Sequence, residues 1–244
     1  MARSNPIIAY IPAKGCSRGL PNKNLALLAG KPLVEHTIEF ACTAHLFDAI
    51  YLSTDSPEIR AIGQAHQVRV LDRPVDLASD TARVADVLAH DLKAIKEDIP
   101  DLALIACLIP TSPLRRLQDL NAAIDLLDAH PDAPSVVSLS LLPFPLAQIM
   151  SMNDKTKTIS APFGLEGITT QSQRQSHPTF HYPNGAIVVI RTASFEQSQA
   201  FYFENASVGL PLDPISSIDI DSSADLARAE FELRSRNFGH GKDL

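Results

Sequence analysis

Short apolar runs alternate with stretches of helical periodicity along most of this chain. "PIIAYIP" (6–12), "DAIYLSTD" (48–55), "QVRVLD" (67–72) and "LALIACLIP" (102–110) have the length and the Ile, Val and Leu content of strands. The last is apolar almost throughout, as a strand covered on both faces of a parallel sheet must be. Between them "KPLVEHTIEFACTAH" (31–45) places Leu33, Ile38 and Ala41 near helical spacing, with Pro32 suited to the first turn. "SPEIRAIGQAH" (56–66) opens on a Ser56 cap and Pro57, and "TARVADVLAHDLKAIKED" (81–98) sets Val84, Val87, Leu88, Leu92 and Ile95 on one face. "LQDLNAAIDLLDAH", "SVVSLSLL" and "NGAIVVI" continue the alternation. "SIDIDSSADLARAEFELRSR" (217–236) then reads as a strand, an Asp-rich turn and a helix.

The pattern predicts an α/β fold, a Rossmann-like three-layer sandwich with a mostly parallel sheet and a ligand site at the carboxyl ends of its strands. Residues 142–183 break the rhythm, mixing Pro, Gln and apolar residues with little periodicity. A stretch that long is no ordinary connection inside a compact domain. Phe144, Ile149, Met150, Phe163 and Phe180 mark it as an inserted arm with apolar surface to bury, economically against a second copy of the chain. The expected organisation is one α/β domain from residues 1–141 and 184–244, with the dimerisation arm at 142–183.

Composition narrows the function. The 244 residues carry a formal net charge of -7, which disfavours a general nucleic-acid surface, so any anion site is a local positive pocket. No stretch approaches the ~18 apolar residues of a membrane span, and no secretory leader is evident. Three scattered cysteines lack metal-ligand spacing and suit a reducing cytoplasm. The eight histidines show no zinc spacing.

Four stretches carry chemistry. "PAKGCSRGLPNKNL" (12–25) surrounds Gly15 and Gly19 with Lys14, Arg18 and Lys23, so backbone amides and cations can line an anion site; it matches neither the dinucleotide fingerprint nor the P-loop. "LASDTARVADV" offers Ser79, Asp80 and Thr81 ahead of a helix, as caps or as nucleotide contacts. "IPTSPLRR" ends the most buried strand with two hydroxyls, a stiff turn and Arg115. In "SIDIDSSAD", Asp219 and Asp221 would face one side of a strand, where two carboxylates invite a divalent cation; the plain alternative is a strand end running into a helix cap.

In this order, together with "STD", "RPVDLASDTA" and "PNGAIVVI", these motifs resemble the acylneuraminate cytidylyltransferases, also called CMP-sialic acid synthetases, over nearly the whole chain. The resemblance implies transfer of CMP from CTP to the anomeric hydroxyl of a nonulosonic acid, with release of pyrophosphate, use of Mg²⁺ and a homodimer. It assigns Lys14, Arg18, Lys23 and Asp221 to catalysis, and Lys14, Ser17, Asn24, Arg73, Ser79 and Thr81 to the nucleotide. It assigns Ile109, Thr111, Arg174, Asn184 and Val188 to the sugar end, and Asp219 and Asp221 to the metal. Four departures stand out: Lys14 where the family has Arg, Arg18 where it has Lys, Ile109 for a sugar-contacting Gln, and Val188 for a Tyr. Tyr182 also replaces the Arg before "PNG". Polar sugar contacts become apolar, which points to a deoxy or N-acylated relative such as legionaminic acid rather than plain N-acetylneuraminic acid. The alternatives are a nucleotidylyltransferase for another sugar acid and a catalytically idle sugar-nucleotide-binding subunit.

Overall fold

The computed structural model of the chain describes residues 5–17, 19–164 and 179–239. Strand β1 (Ile7–Pro12) leads through a long loop to a small hairpin, β2 (Leu27–Leu28) and β3 (Lys31–Pro32), and helix α1 (Leu33–Ala44). There follow β4 (Ala49–Thr54), α2 (Pro57–Ala65), β5 (Arg69–Asp72), α3 (Val84–Asp98), β6 (Leu104–Cys107), α4 (Leu117–Ala129) and β7 (Ser135–Leu141). A second hairpin, β8 (Ser151–Met152) and β9 (Ile159–Ser160), lies in the predicted arm. The chain then forms β10 (His181–Arg191), α5 (Thr192–Ser198), β11 (Val208–Pro211) and α6 (Ser223–Gly239).

Seven strands form one sheet in the order β11-β7-β10-β6-β1-β4-β5. Strand β10 is antiparallel to both of its neighbours, and every other pairing is parallel. Alternation along β1 assigns its two faces. Ile7, Ala9 and Ile11 pack with Val34, Ile38, Ile59, Leu120 and Ile124 of α1, α2 and α4. Ile8 and Tyr10 pack with Ala85, Leu88, Leu92 and Ile95 of α3 and Phe195 of α5. The expected three layers follow from the side-chain period of two meeting helical stripes on both sides.

The direction of the strands places the site. The parallel strands all release the chain at one edge: residues 13–24 after β1, Asp55 and Ser56 after β4, Arg73 after β5, 108–116 after β6 and 212–221 after β11. Antiparallel β10 delivers its first residues to that same edge, with His181 opposite Leu141 and Pro183 opposite Leu139. A small apolar cluster of Leu28, Leu33, Leu114, Ile218, Ile220 and Ala229 anchors α6 and the final loop to the first hairpin.

Local chemistry departs from expectation at three points. Residues 217–221 are not a strand; Ile220 N donates to Thr111 O at 2.8 Å, and the alternation survives only as the burial of Ile218 and Ile220. Pro32 sits just before α1 rather than in its first turn, while Ser56 caps α2 as its sequence indicates, accepting from Ile59 N at 3.3 Å. The start of α3 is closed by Asp86, whose carboxylate accepts from Arg83 N at 3.1 Å, and no side-chain cap comes from Ser79, Asp80 or Thr81. Among the described residues, no helix is long and apolar enough to cross a membrane.

Pairing between β10 and β7 shifts register between Pro183 and Val188. Asn184 fills the irregularity: its Oδ1 accepts from Ser138 Oγ and from Ala186 N at 3.1 Å, and its Nδ2 donates to Ser140 Oγ at 3.2 Å. Gly185 takes φ +72° there, and a Cβ would stand 2.5 Å from Ile109 Cδ1. Because Asn184 is 5% exposed, Asn184→Ala leaves two hydroxyls and an amide short of a partner. It is expected to cost about 2–3 kcal/mol in equilibrium urea unfolding. A change near zero would show that water replaces the amide.

Candidate functional site

The loop after β1 is shaped by its own side chains. Ser17 Oγ donates to Leu20 O and accepts from Lys23 N at 3.2 Å, and Asn24 Nδ2 donates to Lys14 O at 2.8 Å. Gly15 N donates to Asp55 Oδ1 at 2.8 Å, which ties this loop to the end of β4. A Cβ on Gly19 would lie 2.6 Å from Asp221 O, so the loop passes hard against the final Asp-rich segment. Each lysine of the loop meets a carboxylate: Lys14 Nζ donates to Asp80 Oδ1 at 2.7 Å, and Lys23 Nζ to Asp221 Oδ1 at 2.6 Å. Arg18 lies outside the described residues.

Lys14, Ser17, Lys23, Asn24, Arg73 and Ser79 line one hollow of about 190 Å³, with Ile109 and Thr111 on its far side. Arg73 is 8% exposed; its Nη2 donates to Ser53 O at 3.1 Å and its Nε is buried without a protein partner. Burial lowers its pKa, opposed by Tyr10, Asp55 and Asp91 nearby. A buried cation with a donor to spare is suited to a polar acceptor in the hollow. Ser79 and Thr81 hydroxyls lie 3.3 Å apart, and Thr81 does not reach the lining.

Asp219 and Asp221 line a second hollow, of about 750 Å³, and Asp221 meets Lys23 of the first. Asp219 Oδ1 is buried and has no hydrogen-bond partner among the described residues, whereas the Asp221 side chain is 68% exposed. Burial raises the Asp219 pKa, the Thr111 hydroxyl and Lys23 lower it, and Asp221 and Asp225 raise it further. A buried, unpartnered carboxylate oxygen beside a second carboxylate is an all-oxygen donor set fitted to a hard divalent cation. The nearby Asp225 is committed elsewhere: it accepts from Ser222 N at 2.9 Å and from Ser222 Oγ at 2.6 Å at the start of α6.

The residues expected at the sugar end part company. Asn184 borders the larger hollow while bracing the sheet, and Ile109 and Thr111 belong to the smaller one. Val188 is 4% exposed, pairs with Cys107 and packs among Ile8 and Tyr10, lining neither hollow. Arg174 lies outside the described residues. The sequence reading passed over Asp80 as a partner for Lys14, over Asp55, and over His181 and Arg228, which border the larger hollow. Asp55 had a signal, since "STD" closes a strand that ends at the site edge. Asp80 and Arg228 had none, because their roles depend on which loop lies opposite.

Fold and site together define a Rossmann-like α/β protein with lysines, a buried arginine and two aspartates gathered at one sheet edge. Residues 8–208 match the family model described as Cytidylyltransferase, and the chain belongs to the cytidylyltransferase family. It is 34% identical over 227 residues to the N-acylneuraminate cytidylyltransferase of Escherichia coli O18:K1:H7, covering 93% of this chain and 51% of that one. It is 30% identical over 226 residues to the CMP-N,N'-diacetyllegionaminic acid synthase of Legionella pneumophila, covering 92% and 94%. The chain spans about half the length of the Escherichia coli and Streptococcus agalactiae relatives. Among solved structures, CMP:2-keto-3-deoxy-manno-octonic acid synthetase complexed with CTP shares the fold at TM-score 0.66 and 15% identity, covering 95% of this chain and 100% of that one.

The raised Asp219 pKa has a consequence for stability. The folded chain binds this proton more tightly than the unfolded chain, so stability falls as pH rises from the ordinary carboxylate value through the folded one. In EDTA at pH 7, Asp219→Asn is therefore expected to melt higher than the parent, and the gap should close as pH drops below about 4. Millimolar divalent cation should also narrow it by stabilising only the parent. A variant that melts lower at pH 7 would contradict the reading.

Proposed function

We propose that the protein transfers CMP from CTP to the anomeric hydroxyl of a nonulosonic acid and releases pyrophosphate. The observation that carries the proposal is the contact of Lys23 with Asp221, which sets a cation-lined hollow next to a larger one bordered by two carboxylates. The relatives named for N-acylneuraminate, N,N'-diacetyllegionaminic acid and pseudaminic acid support the substrate class.

In this reading Lys14, Arg18 and Lys23 hold the β- and γ-phosphates, with the loop amides around Gly15 and Gly19 beside them. Triphosphate competes with Asp80 for Lys14 and with Asp221 for Lys23, so the lysines are held ready by weak, half-exposed pairs rather than locked away. Arg73 and Ser79 face the base and ribose. The larger hollow, bordered by Tyr182, Pro183, Asn184 and Leu212, receives the sugar acid. Mg²⁺ held by Asp219 and Asp221 would polarise the α-phosphate and lower the pKa of the attacking hydroxyl. The protein orients that hydroxyl in line with the leaving pyrophosphate, whose charge the lysines stabilise.

The substrate is a deoxy or N-acylated relative such as legionaminic acid rather than plain N-acetylneuraminic acid, since Ile109 stands where the family places a sugar-contacting Gln and its side chain offers no hydrogen bond. The arm at 142–183, with Arg174, reaches a partner subunit in a homodimer. Phe144, Met152, Ile159 and Phe163 are exposed there and need cover. The reaction belongs in the cytoplasm, where CTP is made.

Pyrophosphate release with Mg²⁺, across four NTPs and a panel of nonulosonic and keto-deoxy sugar acids, tests the reaction. Release with CTP and one acid is expected. Lys23→Ala should lower kcat by roughly 10²–10³ with a much smaller change in KM for CTP. A raised KM at unchanged kcat would confine Lys23 to binding. Silence throughout with CTP still bound would leave the idle sugar-nucleotide-binding subunit. Light scattering after size exclusion should give twice the chain mass, and a monomer at micromolar concentration would remove the dimer.

A further inference from the structure

The loop after β6 contains a charge that its packing does not require. Arg115 is 4% exposed, and among the described residues no carboxylate bonds to it. Its Nε donates to Ser112 O at 2.9 Å and its Nη2 donates to Ile109 O. Its Nη1 is buried with no protein partner, and the Phe40 ring of α1 lies 5.7 Å from the guanidinium carbon. Burial brings its pKa down to about 9, with Cys107 and Asp219 pulling it back up. Such a cation is a net cost to folding, and an apolar side chain of similar volume would pack there more favourably.

What the fork does is geometric. Two backbone oxygens three residues apart are fixed by one rigid planar group, which a lysine ammonium does not reproduce. Thr111 lies between them. Its carbonyl accepts from Ile220 N at 2.8 Å, and its hydroxyl lies near enough to the Asp219 carboxyl to lower its pKa, so the loop sets where the Asp219–Asp221 segment sits. Ile109 and Thr111 also line the smaller hollow. One guanidinium thus links the wall of that hollow to the carboxylate pair.

We propose that Arg115 is a positioning residue, bracketing residues 109–112 so that Thr111 holds Asp219 in register with Asp221 to receive a divalent cation. The catalytic consequence rests on the cytidylyltransfer reading, whereas the cation-binding consequence does not.

The test is a cycle of Arg115→Lys, Arg115→Met, Thr111→Val and the Arg115→Met/Thr111→Val double variant. Mn²⁺ binding is read from the free-ion signal in electron paramagnetic resonance, and melting temperature is recorded beside it. Both Arg115 variants are expected to weaken Mn²⁺ binding by about 10-fold or more, as removal of a supporting contact does at other metal sites. Arg115→Met should melt at or above the parent, and the double variant should bind Mn²⁺ no worse than Arg115→Met alone. CTP binding without metal should stay within about 3-fold, while pyrophosphate release falls at sub-saturating metal. Unchanged Mn²⁺ affinity in Arg115→Lys and Arg115→Met would overturn the proposal, as would losses that multiply in the double variant. Should Arg115→Met fail to fold, Arg115→Lys, which keeps the charge and loses the fork, decides the point. If the parent releases no pyrophosphate with any substrate pair, the functional reading fails and the Mn²⁺ cycle still judges the positioning role.

Discussion

Lys23 and Asp221 are 198 residues apart in sequence and 2.6 Å apart in space. Their meeting depends on one constraint, that strands running the same way must release their loops at the same edge of a sheet. The first loop and the last therefore face each other without a long excursion by either. The pair itself adds little stability, since Asp221 is largely in water and half-exposed ion pairs contribute about 0–1 kcal/mol. Its importance is electrostatic. Lys14 with Asp80 and Lys23 with Asp221 bring opposite charges to a single rim of a chain whose formal charge is -7. An anion and a cation arriving together can exchange with these partners while leaving the local charge nearly balanced.

Stability and chemistry occupy different parts of the molecule. The two faces of the sheet are filled with close-packed aliphatic side chains, with Tyr10 as the largest polar intrusion; its hydroxyl is satisfied by Asp91 at 2.8 Å. At the carboxyl edge the accounting reverses. Arg73 Nε, Arg115 Nη1, Ser112 Oγ and Asp219 Oδ1 are all buried there without protein partners. Unsatisfied polar atoms cost about 1–3 kcal/mol each in general, and a chain selected for stability alone would remove them. Three more such atoms, on Thr37, Ser53 and Thr192, are found among the described residues, and the four on the motif loops fit a proposed site that trades stability for ligand geometry.

Much of this was legible in the sequence, for physical reasons that can be named. Strands β1, β4 and β6 are apolar runs bounded by Pro, Asp or Gly, and α2 announces itself through Ser56 and Pro57. The motif loops follow strands, so their convergence could be inferred from the alternation alone. What escaped was long-range. The "SIDID" segment keeps its alternation of burial without a ladder, because only Ile220 N finds a backbone partner on the neighbouring loop. Strand β11 carries two apolar residues, a glycine and a proline, and is recruited by pairing with β7 rather than by its own pattern. Asn184 reads as a polar site residue, yet three of its hydrogen bonds repair a register shift that no local signal marks.

The apolar replacements noticed in the sequence can be weighed against these positions. Val188 is enclosed on one sheet face with Tyr10 and Cys107, so an aromatic there would have to displace core atoms or turn toward the edge. Its selectivity effect, if it exerts one, runs through packing beneath the site rather than through contact. Ile109 is different, because it lines the smaller hollow while its tip lies against Gly185 within β10, whose first residues border the larger one. An Ile side chain there can neither donate nor accept a hydrogen bond. On the proposed function, discrimination at this wall is steric and desolvating. A polar group directed at it loses water without finding a partner, whereas a methyl or deoxy position there loses nothing.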